Sequence, residues 1–218
     1  MMQDIKTILF DYDGTLHDAT KIYIPAFKAA YQFLIDNYGA ERKAFSDEDI
    51  TQFLGQTPKA MWEQFGEIFP QEAKQEASIK ISRLMKQAIE NHMAELYDGA
   101  LDVLAYLKEK GYELVFISNC RQYYLEAHNI AFELDRFFKH MVCSETYEGI
   151  QDKDRVLATL KPELKEKMVI IGDRHHDIEA GKRNNIMTIG ATYGFGDASE
   201  LKTADARIDD IRDLKTIF

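Results

Sequence analysis

The chain has 218 residues, 45% hydrophobic and 29% charged, with a net charge of −10. This composition excludes a disordered polymer, and the charge repels nucleic acid and anionic membrane surfaces, so neither is expected as a partner. Cys120 and Cys143 are too few for a disulfide framework or a zinc ribbon, and no apolar run approaches the ~20 residues of a membrane-spanning helix.

In chain order, Asp4 and Lys6 interrupt any signal-peptide core, so a reduced, cytoplasmic protein is expected. TILF (7–10) follows as a short apolar run without strict alternation, the pattern of a strand covered on both faces. It leads directly into DYDGTL (11–16), which brings Asp11 and Asp13 to the strand's C-terminal end. Residues 17–97 hold amphipathic helical patterns and no convincing strand: YIPAFKAAYQFLIDNYG, SDEDITQFL and the long SIKISRLMKQAIENHM. SDED (46–49) reads as an N-cap with acidic residues in the first turn. Some eighty helical residues far exceed one crossover. They predict an all-α domain over 17–97, inserted into an α/β core made of 1–16 and 98–218, with hinges near 15–20 and 93–98. Its aromatic residues, Tyr23, Phe27, Tyr31, Phe33, Phe53, Trp62 and Phe65, have the spacing of packing residues.

From residue 99 helix and strand alternate. GALDVLAYLKEKG (99–111) predicts a helix with Leu101, Leu104 and Leu107 along one side, Lys108 and Lys110 in its last turn, and Gly111 at C′. LVFIS (114–118), MVC (141–143), MVIIG (168–172) and IMTIG (186–190) read as further buried parallel strands. The whole predicts a doubly wound, Rossmann-like parallel sheet.

In such sheets ligands gather at the C-terminal strand ends. There the sequence places Asp11 and Asp13, then Ser118 and Asn119, then GDRHHD (172–177) with Asp173 at the edge and Asp177 one helical turn on. Carboxylates so concentrated need a cation or raised pKa values. All-oxygen ligands favour Mg²⁺ over Zn²⁺. Asp11 can then attack phosphorus, Asp13 can move protons, and Ser118 can hold phosphoryl oxygens. A lysine should neutralise the developing charge, and Lys153, at the predicted start of a helix in EGIQDKDRVLATL, is the candidate ahead of Arg121 and Arg174. His175 and His176, adjacent and without an i+4 partner, do not make a metal site and read as loop or surface residues. Cys120 reads as an inert, half-buried thiol.

In order and spacing, DYDGTL, ISN (117–119), Lys153 and GDRHHD resemble the four motifs of the haloacid dehalogenase-like hydrolase superfamily. The tail GATYGFGDASEL (190–201) with ADARIDDI (204–211) looks like its phosphoglycolate phosphatase-type branch, and residues 17–97 stand where that family carries an α-helical cap. The resemblance implies a Mg²⁺-dependent phosphatase of a small phosphorylated metabolite (phosphoglycolate, a sugar phosphate or a nucleotide), acting through an aspartyl phosphate. It implies Asp11 as nucleophile and metal ligand, and Asp13 as acid/base that also offers the ion a main-chain carbonyl. Ser118 and Lys153, with Gly14 and Asn119, would bind phosphate; Asp173 would complete the metal site, with Thr15 and Asp177 in support. A monomer or weak dimer is expected.

The sequence departs from the family pattern in two places: Asp154, not Pro, follows Lys153, and His17-Asp18 follows Leu16 where an apolar residue is commoner. A phosphomutase of the β-phosphoglucomutase type is the close alternative, and a non-catalytic phosphate binder the distant one. A receiver domain fails on spacing, and neither G-x-G-x-x-G nor G-x-x-x-x-G-K-[ST] occurs. GQTPKAMW (55–62) looks like the family's cap turn facing the active site.

Overall fold

Four consecutive buried residues make Thr7–Phe10 the first strand, β1, at the centre of a parallel sheet. The computed structural model describes residues 4–56, 58–66, 68–150 and 152–218. The flanking strands are β2 (Glu113–Ile117), β3 (His140–Val142), β4 (Met168–Gly172), β5 (Met187–Ala191) and β6 (Ala206–Ile208), in the order β3-β2-β1-β4-β5-β6. Every pairing is parallel, as expected of a doubly wound sheet. β1 pairs β2 on one side and β4 on the other, so the strand order reverses there. The crevice at that reversal is where such sheets bind ligands.

Several details differ from the sequence reading; β3 and β5 are each displaced by one residue, β3 towards the N-terminus and β5 towards the C-terminus. β2 begins one residue earlier, at Glu113, a buried carboxylate that Lys139 Nζ reaches at 2.8 Å. A charged residue is invisible to a search for apolar runs. β6 was not anticipated, since its three residues are only partly buried. In the helix Ala100–Glu109 the buried stripe is Ala100, Val103, Leu104 and Leu107, and Leu101 is 38% exposed. That stripe keeps i, i+3, i+4, i+7 spacing, and Leu101 lies off it. Gly111 does take a left-handed φ of 88° just past the helix.

The chain divides into two units, one formed by the chain up to Asp18 together with Leu96–Phe218, the other by Ala19–Glu95. The first unit retains His17, Leu96 and Tyr97, because His17 bridges both Asp13 and Leu96 and Tyr97 N–H donates to the Leu16 carbonyl at 2.9 Å.

The second unit is all helical: α1 (Thr20–Tyr38), α2 (Asp47–Thr51), α3 (Pro58–Glu63) and α4 (Gln71–Glu90). Ser46 caps α2 in a full capping box with Asp49, as SDED foretold. Thr57, within GQTPKAMW, lies outside the described residues. Phe27 is fully buried at the centre of the aromatic set, its ring centroid 5.3 Å from both Phe45 and Phe53 and 6.3 Å from Tyr31. Among the described residues no helix is long and apolar enough to cross a membrane.

Phe27→Ala removes the ring that the others pack around and should destabilise this unit by about 3–5 kcal/mol. Urea unfolding should show an early transition absent from the wild type. A midpoint shift worth less than about 1 kcal/mol would mean that the aromatic set does not form the core of the unit.

Candidate active site

The turn after β1 is closed by its own backbone. Tyr12 carbonyl accepts N–H bonds from Thr15, Leu16 and His17, and Gly14 N–H donates to the His17 carbonyl. Gly14 has a φ of 86°, and a Cβ on it would lie 2.2 Å from Asp173 Oδ2. Only glycine satisfies both the left-handed backbone and that approach. Its N–H is taken up within the turn by the His17 carbonyl. The N–H groups of Tyr12 and Asp13 donate to no other group among the described residues.

Sheet register brings the other strand ends alongside. Phe10 pairs with both Phe116 and Ile171, so Asp11 lies one residue, and Ser118 and Asp173 two residues, past the paired rows. Ser118 is 6% exposed, and its Oγ accepts from Cys120 N–H at 3.2 Å, which leaves the hydroxyl proton free to donate. Asn119 is exposed and its side chain makes no hydrogen bond among the described residues. Thr15 is fully buried with Oγ1 unpartnered among them, while its carbonyl accepts from Tyr193 OH at 2.8 Å.

Lys153 opens the helix Lys153–Leu160 (the seventh helix, α7) and is buried. Its Nζ lies 2.5 Å from Asp11 Oδ1 and 2.5 Å from Asp177 Oδ1. Asp177, in the first turn of the helix His175–Arg183 (α8), also accepts Arg174 N–H through Oδ2 at 3.1 Å. Asp11, Asp173 and Asp177 each place a carboxylate oxygen within 4.8 Å of the others. Asp13 is not in this group, because its side chain turns to His17 and Tyr124, with Oδ1 2.7 Å from His17 Nδ1 and 2.9 Å from Tyr124 OH.

Three buried carboxylates thus face one ammonium. Burial first, and Asp177 second, push the Asp11 carboxyl well above its usual range despite Lys153. The same two causes raise Asp173 to about 7, partly offset by the Phe195 N–H bond. Burial would lower Lys153, but Asp11 and Asp177 together outweigh it and hold the amine above its ordinary value. Fully ionised, three carboxylates and one ammonium would carry a surplus of negative charge. Asp173 Oδ1 is buried with no partner among the described residues, and Asp11 Oδ2 has none either. Unpaired hard oxygens beside surplus charge fit a divalent cation of the Mg²⁺ kind.

Several contributors escaped the sequence reading. Phe195 N–H donates to Asp173 Oδ2 at 2.6 Å from a loop in which Gly194 and Gly196 have no room for a Cβ against Asp173. In the sequence they lay unremarked within the tail GATYGFGDASEL. Glu200 Oε2 accepts from Arg174 Nε at 2.9 Å and lies 2.7 Å from His175 Nδ1, so His175 is part of a loop clasp. His17 and Tyr124 carried no signal of their own beyond the unusual polarity of His17.

A model of the haloacid dehalogenase-like hydrolase family matches residues 8–191. The chain is 30% identical over 203 residues, 89% of its length and 87% of the relative's, to pyrophosphatase PpaX of Listeria innocua serovar 6a. A second PpaX, from Anoxybacillus flavithermus, is 26% identical over 99% of this chain and 97% of its own. In fold, the chain matches a crystal structure described as a predicted phosphoglycolate phosphatase from Haemophilus somnus 129pt with a TM-score of 0.84 at 21% identity, over 100% of this chain and 99% of that one.

The raised carboxyls have a consequence for stability. With no metal bound, the fold keeps a proton on Asp173 up to a pH of about 7, whereas its ordinary value is 3.8. Between those values the folded state binds more protons than the unfolded, so stability falls as pH rises. In EDTA, the melting temperature should decline from roughly pH 4.5 to 7.5, and Asp173→Asn should flatten the decline. An identical slope in the two proteins would show that Asp173 is not held protonated.

Proposed function

This chain belongs to the haloacid dehalogenase-like hydrolase family, and from that premise we propose that it is a Mg²⁺-dependent phosphatase of a small phosphorylated metabolite, with Asp11 as nucleophile. The observation that carries the reading is the environment of Asp11. One oxygen is fixed by a buried lysine, the other is unpartnered, and Asp173 offers an orphaned buried oxygen beside it. A nucleophilic carboxylate needs this combination of orientation and charge support.

Asp11 and Asp173 would hold the ion through their side chains, and Asp13 through its main-chain carbonyl. Bound there, Mg²⁺ supplies positive charge beside the phosphoryl oxygens. Lys153 and the Ser118 hydroxyl grip those oxygens, with the Tyr12 and Asp13 N–H groups as further donors. The Asp11 carboxylate attacks phosphorus, and the bond from phosphorus to the leaving oxygen breaks. Asp13 gives that oxygen its proton. Water then attacks the phosphoryl group on Asp11, Asp13 takes the water's proton, and phosphate leaves with Asp11 restored. Asp177 keeps Lys153 and the start of α8 in place.

Two relatives bear the name pyrophosphatase, so pyrophosphate joins phosphoglycolate, sugar phosphates and nucleotides as a candidate substrate. All place a transferable terminal phosphoryl group on a small leaving portion.

Phosphate release from p-nitrophenyl phosphate and from that panel should require Mg²⁺. Asp11→Asn should lower it by about 10⁴-fold or more, the scale on which nucleophile removal acts. Undiminished turnover by Asp11→Asn would remove the aspartyl-phosphate route.

A further inference from the structure

Asp13 occupies surroundings unlike those of the other three aspartates. Its side chain is 28% exposed, and both of its hydrogen-bond partners are rings that approach the same oxygen. His17 Nδ1 and Tyr124 OH approach Oδ1, while Oδ2 has no partner among the described residues. A carboxylate only accepts, so the imidazole carries its proton on Nδ1 and the phenol donates as well. Burial, then Asp13, push the Tyr124 phenol well above its usual range, which keeps it a donor.

The rings are themselves fixed. His17 is fully buried and stacks on Tyr12, centroids 5.2 Å apart and planes 12° apart. His128 lies 4.4 Å from the His17 ring and 4.3 Å from the Tyr124 ring, and its Nδ1 is 2.7 Å from Tyr12 OH. Tyr124 and His128 share one face of the helix Gln122–Phe132 (α6), four residues apart. This arrangement is costly. Nε2 of both His17 and His128 is buried without a partner among the described residues, at about 1–3 kcal/mol each. An apolar residue at position 17 would pack there without that penalty. Buried polar groups that a plain core would not need point to a task.

We propose that His17 and Tyr124 are positioning residues that clamp Oδ1 of Asp13, so that Oδ2 alone is presented for proton transfer to the leaving group. The inference rests on the acid/base reading of Asp13 given above. Neither residue touches substrate; both act through the carboxylate. The turn places His17 four residues from Asp13, and α6 delivers Tyr124 from the strand that carries Ser118, so the acid and the phosphate-gripping hydroxyl share one support.

The test compares kcat/KM for p-nitrophenyl phosphate, whose phenolate leaves without help, with kcat/KM for phenyl phosphate, whose leaving oxygen needs the proton. Tyr124→Phe keeps the ring and loses the donor; His17→Leu loses the other donor; His17→Asn returns an amide near the position of Nδ1. Tyr124→Phe and His17→Leu should each lower the phenyl phosphate value by about 10-fold and the p-nitrophenyl value by less than about 2-fold, part of what removing a general acid costs. His17→Asn should recover most of the loss. Equal losses on both probes, or none, while Asp13→Asn separates them, would overturn the clamp and leave the phosphatase reading standing. If Asp13→Asn itself fails to separate them, the acid/base reading falls and the clamp with it. Should His17→Leu not fold, Tyr124→Phe decides alone, its melting temperature serving as the control for packing.

Discussion

Everything at the head of this sheet answers to one electrostatic constraint: Asp11, Asp173 and Asp177 are buried together with a single ammonium, Lys153, between two of them. Carboxylates out of water are unstable as ions, and mutual repulsion compounds the cost. The fold can tolerate the cluster only with protons retained on it or with further positive charge supplied. The raised carboxyls of Asp11 and Asp173 are the first solution, and a cation is the second. A site poised between them has its attraction for a cation built into the folded state.

Backbone geometry makes the cluster this tight. Gly14 and Gly194 bring two loops so close to Asp173 that a Cβ on either would fall within 2.3 Å of its side chain, and a Cβ on Gly196 would lie 1.9 Å from the Asp173 carbonyl oxygen. Gly172 likewise leaves room for the Asp177 carboxylate, which a Cβ would meet at 2.1 Å. The glycines replace side-chain volume with main chain, and main chain brings N–H donors such as that of Phe195. Water is displaced by fixed dipoles, the condition under which charge at the site acts most strongly.

How much of this was legible beforehand follows from the range of the forces involved. Asp11, Asp13 and Asp173 stood out because each follows an apolar strand, and strand ends in a parallel sheet converge whatever lies between them in sequence. Lys153 was legible only as a member of that series, since a lone lysine before an apolar helix face is ordinary. The partner of Asp13 was not legible: Tyr124 lies 111 residues away, and nothing local marks a tyrosine whose hydroxyl will find a carboxylate. β6 and Glu113 were missed for the opposite reason, since hydrophobic pattern is the strand signal and these positions lack it. Pattern reads burial well; it reads a buried polar contact only where burial and polarity conflict within a few residues, as at His17.

Two carboxylates with one residue between them end in opposite conditions. Asp11 continues the line of β1, with its N–H still bonded to the Ile171 carbonyl at 2.9 Å, and so points into the charged cluster. One peptide later the chain bends on the Tyr12 carbonyl, and Asp13 leaves the sheet for the cleft between the turn and α6. The nucleophile and the acid proposed here differ in this way, one crowded by charge and oriented by a lysine, the other held by two rings on one oxygen with the second left open. Had the strand run on straight, alternation would have put both side chains on the same face and in the same field. The turn held by Gly14 therefore does more than admit Asp173: it separates two identical side chains into two different chemical groups.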